Sequence, residues 1–267
     1  MTRDAPSPLA SAFLPTRAVS ANVMRGIVAV QVAVFFVIWL TSPFAVLPTP
    51  PEVLSALRVL WFERGLGPEL VASFRLNIAA LALSAAISLG LSYLTVLGFV
   101  RPLVDAFTKG RFLSLTGLTF LFTLIFGGGH ELKVALLVFG MTVFFLTSMA
   151  AEVESIPRDK FDHARSLRFS DWRVVWEVVV LGTADKAFEI LRQNAAIGWM
   201  MLTMVEGISR SEGGIGAMLL NQNKHFHLAE VFAIQLLILV FGMLQDYSLG
   251  ALKRAVLPYA DLEREAR

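Results

Sequence analysis

The residue types that usually bind metals or perform catalysis are few in this chain and are widely spaced. His225 and His227 flank Phe226 and could supply two metal ligands, but no third ligand is obvious in the sequence, which favours solvated loop histidines. The run Gly127–Gly129 follows no strand pattern and precedes no Gly-Lys-Ser/Thr sequence, so it does not match a phosphate-binding loop. Cysteine is absent, which excludes disulfides, thiol chemistry and cysteine-ligated metals. We therefore expect no metal, no cofactor and no bound nucleotide in this chain.

Other polar residues lie inside or beside long apolar segments, where ionisable groups usually have a function. Arg192 and Asn194 open one such segment and could line a gate, although snorkelling and helix-entry hydrogen bonds explain them about as well. Trp199, farther inside, fits packing or path lining, and Glu206 fits a cap for the neighbouring loop better than a ligand site. Seven residues could line a translocation path: Thr116, Thr119, Thr123, Arg192, Asn194, Trp199 and Glu206. For the three threonines, close helix packing is the alternative.

A densely charged segment, residues 152–178, separates two long apolar segments. It cannot lie in hydrocarbon, where each charge costs several kcal/mol. Pro157 can open a first short helix, and Ser170 can cap a second one that runs to Val178. The first helix would have a short apolar face, formed by Phe161, Ala164, Leu167 and Phe169. Two short surface helices on a membrane protein indicate a docking surface for a partner, and a merely solvated charged face is the alternative.

These candidates belong to an integral membrane protein. Of its 267 residues, 56% are hydrophobic and 16% are charged, whereas a soluble domain has about a quarter charged residues. A helix needs about 20 apolar residues to cross a bilayer. Six segments approach that length: Val23–Leu40, Ile78–Val100, Phe112–Phe126, Val134–Ala150, Ala187–Val205 and Leu228–Tyr247. The net charge of +2 indicates no nucleic-acid-binding surface.

The spans divide the chain into three regions: a disordered tail over residues 1–22, a transmembrane domain over 23–250 and a C-terminal tail over 251–267. With six spans, the side that holds both termini and the charged segment carries sixteen of the 23 Lys and Arg residues, against six on the other side. Because positive charge marks the cytoplasmic side, both termini and the charged segment are predicted to be cytoplasmic. Short amphipathic helices are expected outside over Glu52–Phe62 and Glu212–Gln222, and the second is a natural contact for a binding protein.

The second span carries small residues on one stripe, Ala80, Ser84, Ser88 and Ser92. Such a stripe allows helix backbones to approach closely in lipid, and we prefer this interpretation to a polar pathway.

A transporter without its own nucleotide site needs an ion gradient or a separate ATPase. Gradient-driven carriers usually contain ionisable relays at mid-membrane, whereas here Glu189 and Arg192 lie near the front of the fifth span and no other deep charge is expected. A separate ATPase that engages the charged segment is therefore favoured, and six spans are few for a solute path, which suggests two copies. The alternatives are a membrane anchor that recruits a cytoplasmic partner without transport, and a membrane-embedded enzyme, for which no convergent catalytic cluster is visible.

Several motifs occur in the order and spacing of a known family. They are Leu47-Pro48-Thr49-Pro50, Phe126-Gly127 followed by Lys133, Asp162-His163-Ala164-Arg165-Ser166-Leu167 with Trp172, Leu191-Arg192, Trp199, Glu206, and Gly214-Ile215-Gly216. On these residues the chain, from about Leu47 onward, resembles the permease subunits of bacterial binding-protein-dependent ABC importers. The nearest branch transports nitrate, sulfonates, taurine and related small solutes.

The resemblance implies an all-α integral membrane protein with about six transmembrane helices, type I ABC importer permease-like, with a cytoplasmic coupling helix between spans four and five. It implies a transporter subunit rather than an enzyme, located in the bacterial inner membrane. Its implied partners are an ABC ATPase subunit that binds the ATP, a second permease copy, a solute-binding protein and membrane lipids, with no nucleic acid. The residues implied for ATPase coupling are Asp159, Phe161, Asp162, His163, Ala164, Arg165, Leu167, Arg168 and Trp172.

Two departures from the family pattern concern this coupling helix. Arg168 stands where the family has a glycine, and Val180-Leu181 stands where it has Leu-Pro. The glycine permits a tight turn, and an arginine with positive φ would be strained. Either the turn is made differently here, or the chain belongs to a divergent branch with its own ATPase, or Arg168 pairs with a carboxylate of the partner.

Overall fold

The structure is a computed structural model that describes residues 19–41, 44, 46–209 and 212–258. The predicted tails therefore lie largely outside the described residues. All secondary structure in the described ranges is helical: α1 (Ala21–Leu40), α2 (Pro50–Phe62), α3 (Leu66–Leu94), α4 (Arg101–Thr108), a 3-10 turn (Lys109–Phe112), α5 (Leu115–Phe126), α6 (His130–Glu154), α7 (Arg158–Ser166), α8 (Asp171–Val174), a π-helical segment (Val175–Leu181), α9 (Ala184–Ile208), α10 (Ile215–Lys224) and α11 (Leu228–Val256).

Helices occupy all six segments that the sequence predicts as spans. Four of them, α1, α3, α6 and α11, are long and apolar enough to cross a bilayer on their own. The pair formed by residues 101–112 and 115–126 qualifies only as one broken unit, because its two halves are bent by 116°. Helix α9 has 25 residues, which is long enough to cross a bilayer. It does not qualify as an apolar span, because it carries charged residues at both ends.

Two stretches differ from the sequence-based boundaries. Helix α3 begins at Leu66, twelve residues before the predicted span, because Leu66 and Leu70 are buried and continue the apolar face of the helix. The interval between the second and third predicted spans, residues 101–111, forms α4 with its 3-10 turn, and Val104 of α4 is buried against Leu146 of α6. As a result α5 has only 12 residues, which at 1.5 Å per residue is short for a bilayer.

The core lies where α3, α6, α9 and α11 pack together. The small-residue stripe of α3 forms part of this interface, since Ala80, Ser84 and Ser88 are fully buried. Ser88 Oγ donates a hydrogen bond to the Thr142 carbonyl of α6 at 3.2 Å. The packing interpretation of the stripe is therefore confirmed.

Two short helices flank the bundle at the end predicted to be external. Helix α2 begins with a capping box in which the Thr49 N–H donates to Glu52 Oε2 at 2.8 Å, and it packs against α11. Helix α10 begins at Ile215 rather than Glu212, because Gly213 and Gly214 have positive φ and place the chain in a turn. Helix α1 is different, since none of its residues is buried.

Candidate coupling surface and transport path

The charged segment folds as two short helices that connect α6 to α9. Helix α7 packs against α8 and against the π-helical segment that follows it. Ala164 faces this contact and is buried, and Phe161 is half-buried. The remaining predicted coupling residues are exposed, including Leu167 (55%) and Trp172 (65%). The exposed polar members of this set are Asp159, Asp162, His163, Arg165 and Arg168.

The turn after α7 has the geometry of a Schellman motif. Phe169 N–H donates to the Ala164 carbonyl at 3.4 Å, and Arg168 N–H donates to the Arg165 carbonyl at 2.9 Å. This closure requires a left-handed residue, and Arg168 fills that position with φ of +58°. The left-handed conformation costs a residue with a Cβ about 1–2 kcal/mol. The structure thus retains a tight left-handed turn, with arginine in the place where glycine would be unstrained.

The side chain of Arg168 differs from its basic neighbours in its contacts. Arg165 lies 3.6 Å from Asp162, and Arg173 lies 3.8 Å from Glu177 and stacks over the Phe169 ring at 4.2 Å. Within the described part of the chain, no side-chain hydrogen bond, ion pair or ring contact involves the Arg168 guanidinium. Its charge therefore faces solvent without an intrachain partner.

The connection from α8 to α9 is closely packed. Val174 and Val179 are buried, and the Thr183 hydroxyl donates to the Val179 carbonyl at 2.7 Å. A Cβ on Gly182 would lie 2.2 Å from the Val178 carbonyl oxygen, so the chain passes too closely for a larger residue. Val180-Leu181, the second departure from the family pattern, lies in the π-helical segment. Helices α7 and α8 are thus connected to the start of α9 through a packed joint.

Helices α9 and α11 are joined by an ionic ladder at the end nearest the charged segment. Arg192 binds Asp246 through two parallel hydrogen bonds, Nε to Oδ1 at 2.9 Å and Nη2 to Oδ2 at 2.7 Å. Lys253 Nζ lies 2.7 Å from Glu189 and 2.5 Å from Asp185. The guanidinium is thus a bridge between helices, and snorkelling does not account for its contacts.

Asp246 is the functional candidate that sequence reasoning missed. It occupies the last turn of the predicted sixth span, and an ionisable residue within a span was the available signal. Its pairing with Arg192 depends on the register of two helices that are distant in sequence. A Cβ on Gly250 would lie 3.7 Å from the Arg192 guanidinium, so the small residue leaves room for that side chain against α11.

The seam between α9 and α11 remains polar farther into the bundle. Gln245 Oε1 accepts hydrogen bonds from the Trp199 indole N–H at 2.7 Å and from Asn77 Nδ2 on α3 at 3.2 Å. All three side chains are buried. Asn194 is also buried, but its amide donates back to the Ile190 carbonyl at 3.1 Å. Trp199 and Asn77 therefore fix α9, α3 and α11 to one another through a single amide oxygen.

A cavity of about 650 Å³ follows the same seam. Its charged end is formed by the ladder and its inner wall is apolar; lining residues include Arg192, Trp199, Leu239, Met243, Asp246 and Lys253. Two predicted path residues, Arg192 and Trp199, thus share one cavity.

Glu206, at the other end of α9, has a different environment. Its carboxylate accepts the Ser73 hydroxyl of α3 at 2.6 Å and the Gly216 N–H of α10 at 2.8 Å, and it is 1% exposed. Ser73 Oγ in turn accepts the Ile215 N–H at 2.9 Å. The first turn of α10 is thereby capped by side chains of α3 and α9. Glu206 has the contacts of a loop and helix cap.

Two further side chains hold the loop that precedes α10. Glu69 Oε2 accepts the Gly214 N–H, and Lys133 Nζ donates to the Gly213 carbonyl at 2.8 Å. Lys133 is 3% exposed. We call the group formed by Glu69, Ser73, Lys133 and Glu206 the outer clamp. Its carboxylates and ammonium are all used in holding backbone, which leaves none of these charges as a free ligand group.

The threonines of α5 satisfy their hydroxyls locally. Thr119 Oγ1 donates to the Leu115 carbonyl at 2.9 Å and Thr123 Oγ1 donates to the Thr119 carbonyl at 2.7 Å. Thr116 is exposed and lines a second cavity of about 570 Å³, together with Gln235 of α11. The predicted path residues therefore fall into three separate groups: α5, the α9–α11 seam and the outer clamp.

The two histidines lie side by side without forming a metal site. Their ring centroids are 5.9 Å apart. His225 Nδ1 lies 2.8 Å from the Asn221 carbonyl, and His227 Nδ1 lies 2.9 Å from Gln222 Oε1. No group of three metal-binding side chains occurs in the ranges that the structure describes.

No family model matches the chain. It is 25% identical over 220 residues to SsuC of Bacillus subtilis (strain 168), which is described as an aliphatic sulfonates transport permease protein; the match covers 80% of this chain and 78% of that protein. A chain of the methionine ABC transporter MetNI in an inward-facing conformation matches with a TM-score of 0.52 and 16% identity, over 78% of this chain and 99% of that chain.

These similarities confirm two predictions. The all-helical bundle has the fold of an ABC importer permease. The predicted resemblance to the permease subunits of ABC importers is confirmed by sequence and by fold.

Proposed function

We propose that this chain is the permease subunit of an ABC importer, which forms a solute path together with a second copy of itself and is driven by a separate ATPase subunit. The observation that carries the proposal is the charged segment, whose exposed helices join α6 to α9. The chain supplies the path and the coupling surface, and the partner supplies ATP binding and hydrolysis. Both termini and the charged segment lie in the cytoplasm.

Two properties of α7 and α8 support docking to an ATPase. Their exposed surface combines apolar side chains, Leu167 and Trp172, with charges of both signs. A mixed surface with large exposed apolar groups is typical of a protein interface. The buried face, centred on Ala164 and Val174, ties the docking surface to the rest of the chain through the packed joint.

The path is formed between two copies, which explains the surfaces left uncovered in a single chain. Helix α1 has no buried residue, and α5 exposes large apolar side chains such as Phe120 (74%) and Leu124 (68%). Lipid covers part of this surface, and the second copy covers the remainder around the shared axis. Thr116 and Gln235 lie beside the same face, at the cavity of about 570 Å³.

The transported solute is a small molecule such as nitrate, a sulfonate or taurine. The support for this class is the sequence similarity to SsuC, a permease described for aliphatic sulfonates. Selection of the solute is assigned to a separate binding protein, which contacts the external surface near α10. The outer clamp holds the start of α10 in place for that contact.

ATP-dependent uptake in proteoliposomes tests the proposal. The vesicles contain this chain and its co-purified ATPase subunit, and they receive the binding protein with radiolabelled nitrate, taurine or an alkanesulfonate. We expect uptake of one of these solutes to require ATP and to be lost when residues 159–172 are replaced by a flexible linker. ATPase binding without uptake of any solute would instead identify a membrane anchor.

Because the chain contains no cysteine, a single introduced cysteine reports its neighbours directly. Asp162→Cys is expected to cross-link to the ATPase subunit, whereas Arg58→Cys on α2 is expected not to do so. A cross-link at Arg58 with none at Asp162 would contradict both the orientation and the coupling role.

A further inference from the structure

We propose that Arg168 is a partner-specific contact, whose guanidinium binds a carboxylate of the ATP-hydrolysing subunit. This inference rests on the proposed function, since it needs α7 to dock onto that subunit. It extends the proposed function by naming the residue and the ion-pair chemistry that would select the ATPase subunit.

The backbone supplies the first argument. The Schellman closure after α7 needs one left-handed residue, and glycine would meet that need without strain. Arg168 occupies the position with φ of +58°. A positive charge at a helix C-terminus is favourable, but this attraction is smaller for an exposed side chain than the steric cost of a left-handed Cβ. The fold of this chain alone therefore gives no reason for arginine.

The side chain supplies the second argument. Arg165 and Arg173 both lie near carboxylates of the charged segment, whereas within the described residues the Arg168 guanidinium has no such partner. Its backbone is fixed by two hydrogen bonds of the closure, so the guanidinium extends from a well-defined position at the end of α7. A planar, permanently charged fork held in this way is suited to a bidentate carboxylate contact.

The surroundings indicate the kind of surface that the partner presents. Leu167 precedes Arg168 in the chain and is 55% exposed, and Trp172 follows four residues later and is 65% exposed. The complementary surface is an apolar depression with a carboxylate at its rim. The side chain at position 168 thus distinguishes an ATPase that has this carboxylate from one that lacks it.

Binding and stability measurements on the same variants test the inference. The full-length chain is purified in detergent, the ATPase subunit that co-purifies with it is prepared separately, and their Kd is measured by titration. We expect Arg168→Gly to weaken binding about tenfold while raising the unfolding temperature of the isolated chain. Arg168→Lys should bind with intermediate affinity, and Arg168→Glu should weaken binding more than tenfold.

The controls separate this contact from a general charge effect and from folding. Arg58→Ala removes one positive charge from α2 and should leave the Kd unchanged. The affinity of the Arg168→Gly variant should also depend less on salt than that of the unmodified chain. Replacing the matching carboxylate of the ATPase by lysine should restore binding to Arg168→Glu.

Two outcomes would overturn the inference and can be told apart. If the unmodified chain binds the ATPase and Arg168→Gly binds equally well or more tightly, Arg168 is not a selective contact, while the proposed function stands. If the unmodified chain binds no ATPase, the proposed function fails together with the inference.

Discussion

Substitution of Glu206 by glutamine is expected to destabilise the chain by removing the charge at the centre of the outer clamp. The carboxylate accepts hydrogen bonds from the Ser73 hydroxyl at 2.6 Å and the Gly216 N–H at 2.8 Å. Glutamine has almost the same shape, but only one of its two terminal atoms can accept a hydrogen bond. In the variant, only one of the two donors keeps an oxygen acceptor on this side chain.

The expected loss in the free energy of unfolding can be worked out from these two hydrogen bonds. Hydrogen bonds to a charged group contribute about 1.5–3 kcal/mol each, against about 0.5–1.5 kcal/mol for neutral pairs. Glu206 is 1% exposed, so water cannot replace the lost contact. One bond becomes neutral and the other is lost, which gives a net destabilisation of about 2 kcal/mol. For a domain of this size, such a loss lowers the unfolding temperature by about 4–8 °C.

Thermal unfolding of the purified chain in detergent, followed by tryptophan fluorescence, measures this effect. Glu63→Gln is the matched control, because Glu63 is exposed and the same chemical change should leave its unfolding temperature within about 1 °C. Ser73→Ala should also destabilise, and the double variant with Glu206→Gln should lose less than the sum of the two single losses. Equal unfolding temperatures for Glu206→Gln and Glu63→Gln would refute the clamp, as would strictly additive losses in the double variant.

Three further predictions concern the seam and the packing of α10. Arg192→Glu should reduce ATP-dependent uptake about tenfold or more by placing like charges together, and adding Asp246→Arg should recover most of it. Gly216→Ala should displace α10, because its Cβ would lie 2.4 Å from a backbone oxygen of α9, and should lower the unfolding temperature by several degrees. Gln245→Leu should cost about 1–3 kcal/mol in thermal unfolding, since it leaves two buried donors unpaired.

Control variants test whether each effect arises from the stated contact. Gly90→Ala on α3 introduces the same methyl group as Gly216→Ala, but no atom lies within 4 Å of its Cβ, so it should not lower stability. Trp199→Phe combined with Gln245→Leu removes one of the two donors together with the acceptor, so it should be less harmful than Gln245→Leu alone. Asp246→Arg alone should be as harmful to uptake as Arg192→Glu. If the charge-exchanged pair were as inactive as either single variant, the ladder would not be a simple ion pair.

Hydropathy predicted the helical class and the helix at each span, because burial in lipid requires long apolar segments with internally paired backbone. The residues at which the helices begin and end could not be predicted from hydropathy alone. The start of α3 lies among polar residues such as Glu69, which hydropathy treats as loop. The structure pairs Glu69 with a backbone N–H of the loop before α10, a contact between residues 145 positions apart. Only the tertiary arrangement reveals that such a polar residue belongs inside a helix.

The same limit applies to the candidate site. The two short helices of the charged segment followed from their local pattern, but Leu167, placed by that pattern on one apolar face with Ala164, is exposed whereas Ala164 is buried. The Arg192–Asp246 bridge could not be predicted, because each residue alone looks like an interfacial charge and their contact depends on interhelical register. Arg168 is the opposite case: strain argued against a left-handed arginine, yet the closure of α7 keeps it.

The contacts of α9 bear on where the proposed path opens. Its first turns are bound to α11 by the ionic ladder, its middle to α3 and α11 through Gln245, and its last turn to α3 and α10 through Glu206. A displacement delivered to the start of α9 therefore carries α3, α10 and α11 along, because separating them would break several charge-assisted or buried hydrogen bonds at once. Among the described residues, α1 and α5 contribute no side chain to these bonds. An opening that moves each chain as a unit would separate two copies at those faces, which agrees with the proposed path between them.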